Sequence, residues 1–422
     1  MTAGVAAGVA VSARGDEVRI GVALSAMGFV LSGLGACVAI LARDLDEPPS
    51  RLALLSSGFA AGLLIIAVVG PRLLRSWSMG SVLSLGSVVC AVGTVLLAAA
   101  PTYSLAIGGG LLVGLGGALM VLVAPLMLNG PTAASRLSRV NALASGVGIL
   151  SPLAIGALDA LGPTGRLAIL AAVPPLLILA ARTRTYTGDR HSTDQRPTDR
   201  REGGPTGSDE LAQVAPPVLS PVLIDSAPAV GLGRKWRRVG RQVALAVGVG
   251  WLRVVLAVSV EFCFVVWAVA RLVATGLPTA TAALLGSAFP IGMAVGRAIG
   301  PIRWRSWSPV VPSGALAATG TLLVSLVDSP AVVALGLVVA GLGVAPLYPV
   351  TLAALVATPG LSAARLAAIG ALASGTAILL APAALALIAR VVEIRTAYLI
   401  TLPLIAVLFV LSRRDGARSS AA

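Results

Sequence analysis

One carboxylate in this chain lies where a carboxylate is costly. Glu261 stands inside RVVLAVSVEFCFVVWAVAR, which runs from Arg253 to Arg271. As a helix, these eighteen steps would cover about 27 Å, close to the ~30 Å hydrocarbon core of a bilayer. Arginines at the two ends are expected to snorkel to opposite surfaces, leaving Glu261 about 12 Å from one and about 15 Å from the other. The remaining acids fall in tails, loops or the ends of apolar runs. A carboxyl near a membrane midplane is a functional-site candidate by default. It can keep its proton in a dry cavity and release it when the cavity opens to water, or accept a hydrogen bond from a polar substrate. The alternative is a permanently neutral side chain bonded to a neighbouring helix.

A second set of candidates offers hydroxyl, amide or aromatic groups. Tyr348 lies in APLYP, where Pro346 and Pro349 would loosen the helix and expose carbonyls, either to line a cavity or as a structural kink. Asn141 is placed to line the pathway or to cap a helix. Ser145 and Ser374 precede Gly146 and Gly375; small residues there allow close helix approach, and paired hydroxyls would also suit a central cavity. Trp267 follows Glu261 by six residues, about 600° of helical rotation, so it does not share the Glu face. Packing against lipid or other helices competes with stacking on a ligand. Cys37, Cys90 and Cys263 each lie in an apolar run and read as small core residues, so no metal site is expected. The lone His191 sits in a polar stretch, which argues against zinc hydrolase or Ser/His/Asp chemistry in the membrane. No GxxxxGK[ST] loop is present; neither a cofactor nor enzymatic activity is expected.

The elements that must hold these residues are membrane helices. The chain is 57% hydrophobic and 11% charged, with a mean hydropathy of +0.95. Twelve apolar runs can be marked between about residues 20 and 411, most of them long enough to cross as a helix. The sixth, 166–182, carries Pro174-Pro175 and should kink or break. GRQVALAVGVG, residues 240–250, either lengthens the seventh span or lies at the interface. The first thirteen residues lack a basic n-region, so a cleaved signal peptide is not expected. With both ends of the chain inside, inner segments carry 24 Lys or Arg and outer segments six. The net charge of +14 is therefore a positive-inside signal of the cytoplasmic membrane and does not indicate a nucleic-acid surface.

Residues 183–240 form the long non-membrane segment. Its first part is polar and Pro/Gly-bearing and reads as disordered. RKWRR, Arg234 to Arg238, abuts the next span, where anionic lipid is the expected partner and a regulatory docking site the alternative. The organisation expected is a tail at 1–19, a six-helix lobe at 20–182, the linker at 183–240, a second lobe at 241–412 and a tail at 413–422.

The two lobes repeat. GPRLLRSWS at Gly70 to Ser78 matches GPIRWRSWS at Gly300 to Ser308 at six of nine positions. NALASGVGIL, from Asn141, matches GALASGTAIL, from Gly370, and Gly114-Leu115-Gly116 matches Gly341-Leu342-Gly343. The offsets are 230, 229 and 227 residues, which implies a parallel duplication with a substrate site between the halves.

In these features the sequence resembles the Major Facilitator Superfamily. The resemblance implies an all-α membrane protein of twelve transmembrane helices in two six-helix pseudo-repeats. The signature between the second and third spans is represented by Gly70 and Arg75, with Leu74 where the family carries Asp. Arg75, its repeat counterpart Arg305, and Arg297 at the end of the eighth span are the candidate gating-loop arginines; for Arg297 a snorkelling anchor is the alternative. GLGVAPLYP, Gly341 to Pro349, and the Glu261-to-Trp267 spacing are most similar to the fucose-permease-like sugar branch and to uncharacterised actinobacterial members. The resemblance implies a monomeric secondary active transporter of a small molecule, working by alternating access and coupled to protons as a symporter or antiporter. Scarce aromatic and amide side chains in the spans equally suit an exporter of hydrophobic compounds. The degenerate signature leaves a non-transporting sensor or scaffold as the second class.

Overall fold

A computed structural model of the chain describes residues 2–46, 54–128, 133–162, 165–184, 233–300 and 308–419. Every regular element among them is helical. The first half comprises α1 (Thr2–Ser32), α2 (Leu34–Asp44), α3 (Leu54–Ser76), α4 (Met79–Ala99), α5 (Tyr103–Met127), α6 (Ala133–Leu161), a 3-10 segment (Gly165–Ala172) and α7 (Val173–Arg184). The second half comprises α8 (Gly233–Val273), α9 (Thr279–Gly286), α10 (Ala288–Ile299), α11 (Val310–Leu326), α12 (Pro330–Val344), α13 (Leu347–Val356) and α14 (Ala363–Ile388). It closes with α15 (Ile394–Ala397), a second 3-10 turn (Tyr398–Ile400) and α16 (Thr401–Ser419).

Among the described residues, nine helices are long and apolar enough to cross a membrane. A further bent pair meets the test together, and two shorter apolar helices, Leu55–Gly70 and Val310–Leu326, fall on the second and ninth runs. These segments are consistent with twelve crossings.

Several spans are interrupted for local reasons. The first bends by 43° between α1 and α2 at Gly33. A Cβ there would stand 2.3 Å from Ser151 Oγ, so the missing side chain lets the bend nest on α6. At the sixth span, Pro174 and Pro175 occupy the first turn of α7, where a missing N–H costs little; the expected kink takes the form of a change from 3-10 to α-helix. The tenth span breaks between α12 and α13 at Ala345-Pro346, beside Tyr348.

One boundary differs from the sequence reading, and one open alternative is decided. Residues 2–19, expected as a tail, are helical and continuous with the first span, because nothing in that Ala/Val/Gly stretch stops a helix once it is anchored downstream. The stretch 240–250 belongs to the 41-residue α8, whose spanning part is Gln242–Val273. The backbone of Arg234–Arg238 thus lies on the same helix as Glu261. Residues 185–232 and 301–307, the latter including Arg303 and Arg305, lie outside the described residues.

The repeated Gly-Leu-Gly has a common structural cause in both halves. A Cβ on Gly114 would lie 2.0 Å from the Phe59 carbonyl oxygen of α3, and one on Gly116 would lie 2.4 Å from the Cys90 nitrogen of α4. In the second half, a Cβ on Gly341 would lie 2.4 Å from Phe289 O of α10, and one on Gly343 would lie 2.3 Å from Ala317 N of α11. One helix in each half thus packs backbone-to-backbone against two neighbours, the close approach that replaces hydrophobic drive inside a bilayer.

The halves meet where α2 packs on α8, α6 on α9 and α10, and α3 on α14. They interlock through glycine at two levels: at the start of α2, Gly35 faces Val265 O at 2.4 Å from its would-be Cβ, and near the end of α6, Gly156 faces Ala280 O at 2.7 Å. The halves are in backbone contact at both levels.

Gly114→Val or Gly341→Val should each lower stability by ~1–3 kcal/mol through overpacking. Gly108→Ala, where the added carbon meets nothing within 4 Å, should leave it unchanged or slightly raised. Thermal unfolding of the purified protein in detergent would check both.

Candidate functional site

Glu261 sits on α8 with its side chain 15% exposed, facing Arg297 near the end of α10. Arg297 Nη2 lies 3.5 Å from Glu261 Oε1. The other arm of the guanidinium, Nη1, donates to Ser145 Oγ of α6 at 2.5 Å. Ser145 in turn donates to Asn141 O, one helical turn back, at 2.9 Å. Arg297 therefore holds an acid of its own half with one arm and a hydroxyl of the opposite half with the other.

Tyr348 extends the cluster. It stands just past the tenth-span break, close enough to interact electrostatically with both Glu261 and Arg297, and its hydroxyl interacts with the Ser374 side chain. Ser374 Oγ also bonds Gly370 O one turn back, at 3.1 Å, the same local bond made by Ser145. The repeat-equivalent serines thus approach one polar cluster from opposite halves, one through Arg297 and the other through Tyr348. Gly375 permits close approach, its would-be Cβ lying 2.7 Å from Leu64 of α3, whereas Gly146 faces open space.

Five residues singled out separately in the sequence, Glu261, Arg297, Ser145, Tyr348 and Ser374, are brought together. Asn141 joins only through its backbone carbonyl and is exposed. Trp267 is 1% exposed and donates its indole N–H to Pro382 O at 3.3 Å, an interhelical contact on another face of α8. The neighbouring Phe264 stacks on Phe289 with ring centroids 5.4 Å apart.

The flanking arginines correct the sequence expectation. Arg253 and Arg271 are buried rather than snorkelling. Arg253 Nη2 donates to Leu411 O. Arg271 donates to Val324 O and Val327 O, each at 2.9 Å, and to Asp328 at 2.7 Å. Carbonyls freed at the end of α11 make the buried guanidinium tolerable there. Arg297 differs from the expected gating-loop arginine or snorkelling anchor in that it lies within α10, with its side chain turned to Glu261 and Ser145. Arg75 lies on the backbone of α3, and Arg305 is outside the described residues.

Sequence reasoning missed a pair of charged clusters, one in each half, the first of them where α2 and α6 end. In the first half, Arg43 bonds both oxygens of Asp159, at 2.7 and 2.9 Å, and Arg166 bonds Ala100 O at 2.7 Å. In the second half, Arg271 and Arg395 share Asp328. Arg43 and Arg271 are 228 residues apart, and Arg166 and Arg395 are 229 apart, so the repeat offset was the available signal.

The Major Facilitator Superfamily model matches residues 20–360 of the chain. The chain belongs to that superfamily. Solved structures of similar fold include a point mutant of the nucleoside transporter NupG, at 13% identity and TM-score 0.67, covering 94% of this chain and 99% of that one. A D-xylose-proton symporter aligns at 12% identity and TM-score 0.67, over 94% of this chain and 96% of that one. A bacterial homolog of the human lysosomal transporter Spinster, in an inward-facing and unoccupied conformation, aligns at 12% identity and TM-score 0.66, over 96% of this chain and 97% of that one. No curated protein matches the sequence. At these identities the likeness carries the fold, and the superfamily assignment makes the chain a transporter-type membrane protein rather than an enzyme. Its Glu261–Arg297 cluster lies at the interface of the two halves.

Trp267→Phe should cost about 1 kcal/mol of stability, the worth of one buried hydrogen bond. It should leave the Glu261 cluster intact, because the indole of Trp267 bonds Pro382 O on another face of α8. Comparing the thermal unfolding midpoint with ligand binding or flux separates the two effects.

Proposed function

We propose that this chain is a secondary active transporter that moves a small molecule across the cytoplasmic membrane by alternating access, with Glu261 as its proton-coupling carboxylate. The carrying observation is the Glu261–Arg297 pair, with the second arm of Arg297 bonded to Ser145 of the opposite half. Deprotonated Glu261 is compensated by Arg297; protonation removes its charge and frees the facing guanidinium arm for a ligand. The bond to Ser145 links that event to the position of the other half. Support comes also from the backbone contact of the halves at Gly35 and Gly156, which must part for the site to open on that side. Among proteins of similar fold, a structure is described as a D-xylose-proton symporter and another as concerned with substrate recognition in proton dependent oligopeptide transporters.

The transport unit in this proposal is one copy of the chain, with both termini cytoplasmic. Arg234–Arg238 at the start of α8 lie against anionic headgroups, each basic residue there contributing ~1 kcal/mol of attraction. The end where α2 and α6 terminate is then the outer one.

Two measurements test the reading. In liposomes carrying a pH gradient, Glu261→Gln should abolish substrate-dependent proton flux, and wild-type flux with wild-type pH dependence would remove Glu261 from the coupling role. Gly156→Val should hold the outer end apart and slow turnover by an order of magnitude, equivalent to about 1.4 kcal/mol. Cysteine-labelling reagents added outside should then reach positions that the wild type protects. An intact protein that moves no solute and no proton would favour a sensor or scaffold.

A further inference from the structure

Resting on that reading, we infer that the substrate is a small organic monoanion, such as a monocarboxylate with a mainly apolar body, carried together with one proton. The geometry that points there is a single guanidinium shared between one acid and one hydroxyl. An arginine fork takes a carboxylate bidentately, and the Nη2 arm is the one a ligand gains when Glu261 lets go.

Charge balance decides between ligand classes. An uncompensated charge inside an apolar bundle is strongly disfavoured. Arg297 cannot shed its proton, whereas Glu261 can take one up. With no ligand bound, Glu261 ionised against Arg297 is balanced. An anion alone leaves one excess negative charge, and a proton alone leaves one excess positive charge. An anion and a proton together restore balance. A cation has no such route: it would compete for Glu261 beside a guanidinium that stays charged. A neutral solute gains nothing from proton uptake.

The polar inventory fits the same class. Of the two Asn and three Gln in the sequence, only Asn141 and Gln242 fall on described helices. Ser145, Ser374 and Tyr348 supply hydroxyls around one anchor, with no amide side chain in the cluster, an arrangement poor in partners for a polyol. Among the described residues, Arg297 on α10 is the charge that acts on Glu261, and Tyr348 on α13 is the titratable hydroxyl near both. From α14 the nearby group is Ser374, and from α6 it is Ser145. Arg253 and Arg271, on the helix of Glu261 itself, are bonded elsewhere.

The experiment uses full-length protein in liposomes and in detergent, with three series of matched size: aliphatic and aromatic monocarboxylates, their neutral amides, and the corresponding primary amines. Carboxylates should bind and be taken up with one proton each, and imposed membrane voltage should not change the rate. Their affinity should fall as pH rises, because binding requires protonated Glu261. In Glu261→Gln, affinity should lose that pH dependence and proton uptake should vanish. Arg297→Gln should weaken carboxylate binding by about thirtyfold or more, given the cost of stranding a charge partner. Arg297→Lys should recover part of that loss, which a merely misfolded variant would not. Amides or amines carried with protons while carboxylates are not would overturn the substrate class and leave proton-coupled transport standing. Carboxylate binding that survives Arg297→Gln within about twofold would overturn it too. Failure of all three series to bind or move, in protein with a wild-type unfolding transition, would overturn both this inference and the transport reading.

Discussion

An ionised carboxylate inside an apolar bundle must find its compensation within the protein, and this constraint organises the site. Glu261 has Arg297 at 3.5 Å, and little else of opposite charge reaches it among the described residues. Satisfying the pair requires α10 to bring its C-terminal end beside the middle of α8. That placement depends on Gly292 and Gly296, whose would-be Cβ atoms fall 2.2 Å from Val338 O and 2.8 Å from Leu342 O. The backbone-to-backbone packing of α10 on α12 thus seats the guanidinium, and the α12–α13 break then brings Tyr348 alongside.

The two halves share a frame and differ in what they place on it. Ser145 and Ser374 make the same bond one turn back, and each Gly-Leu-Gly separates two neighbours in the same way. The acid and the arginine belong to the second half alone. Where α2 and α6 end, the halves again use one layout with different partners: Arg166 meets the Ala100 carbonyl and the Asp44 carboxylate, and Arg395 meets the carboxylates of Asp328 and Glu393.

The fold was legible because a bilayer makes hydropathy and repeat spacing decisive, and both survive without any knowledge of side-chain contacts. The individual site residues were legible too, since a buried acid, a proline-flanked tyrosine and repeat-paired serines each violate the surrounding apolar pattern. Their convergence was not, because it depends on which faces of α6, α8, α10, α13 and α14 turn towards one another. Arg253 and Arg271 depart from expectation for a related reason: snorkelling is the behaviour of a helix alone in lipid, and these two meet carbonyls of neighbouring helices first. Arg297 reads as a loop residue because it ends an apolar run, yet a side chain at the last turn still reaches back along its helix.

Glu261 and Arg297 ride on the same half of the molecule, and among the described residues it is the Ser145 bond that links the pair to the other. In the proposed cycle a rocking motion of one half against the other would carry the ion pair as a rigid passenger and would not have to pull opposite charges apart. The mechanical step and the chemical step use different bonds. In the proposed cycle the empty site would reorient with its charges balanced, and the return stroke would be electrically silent at that site.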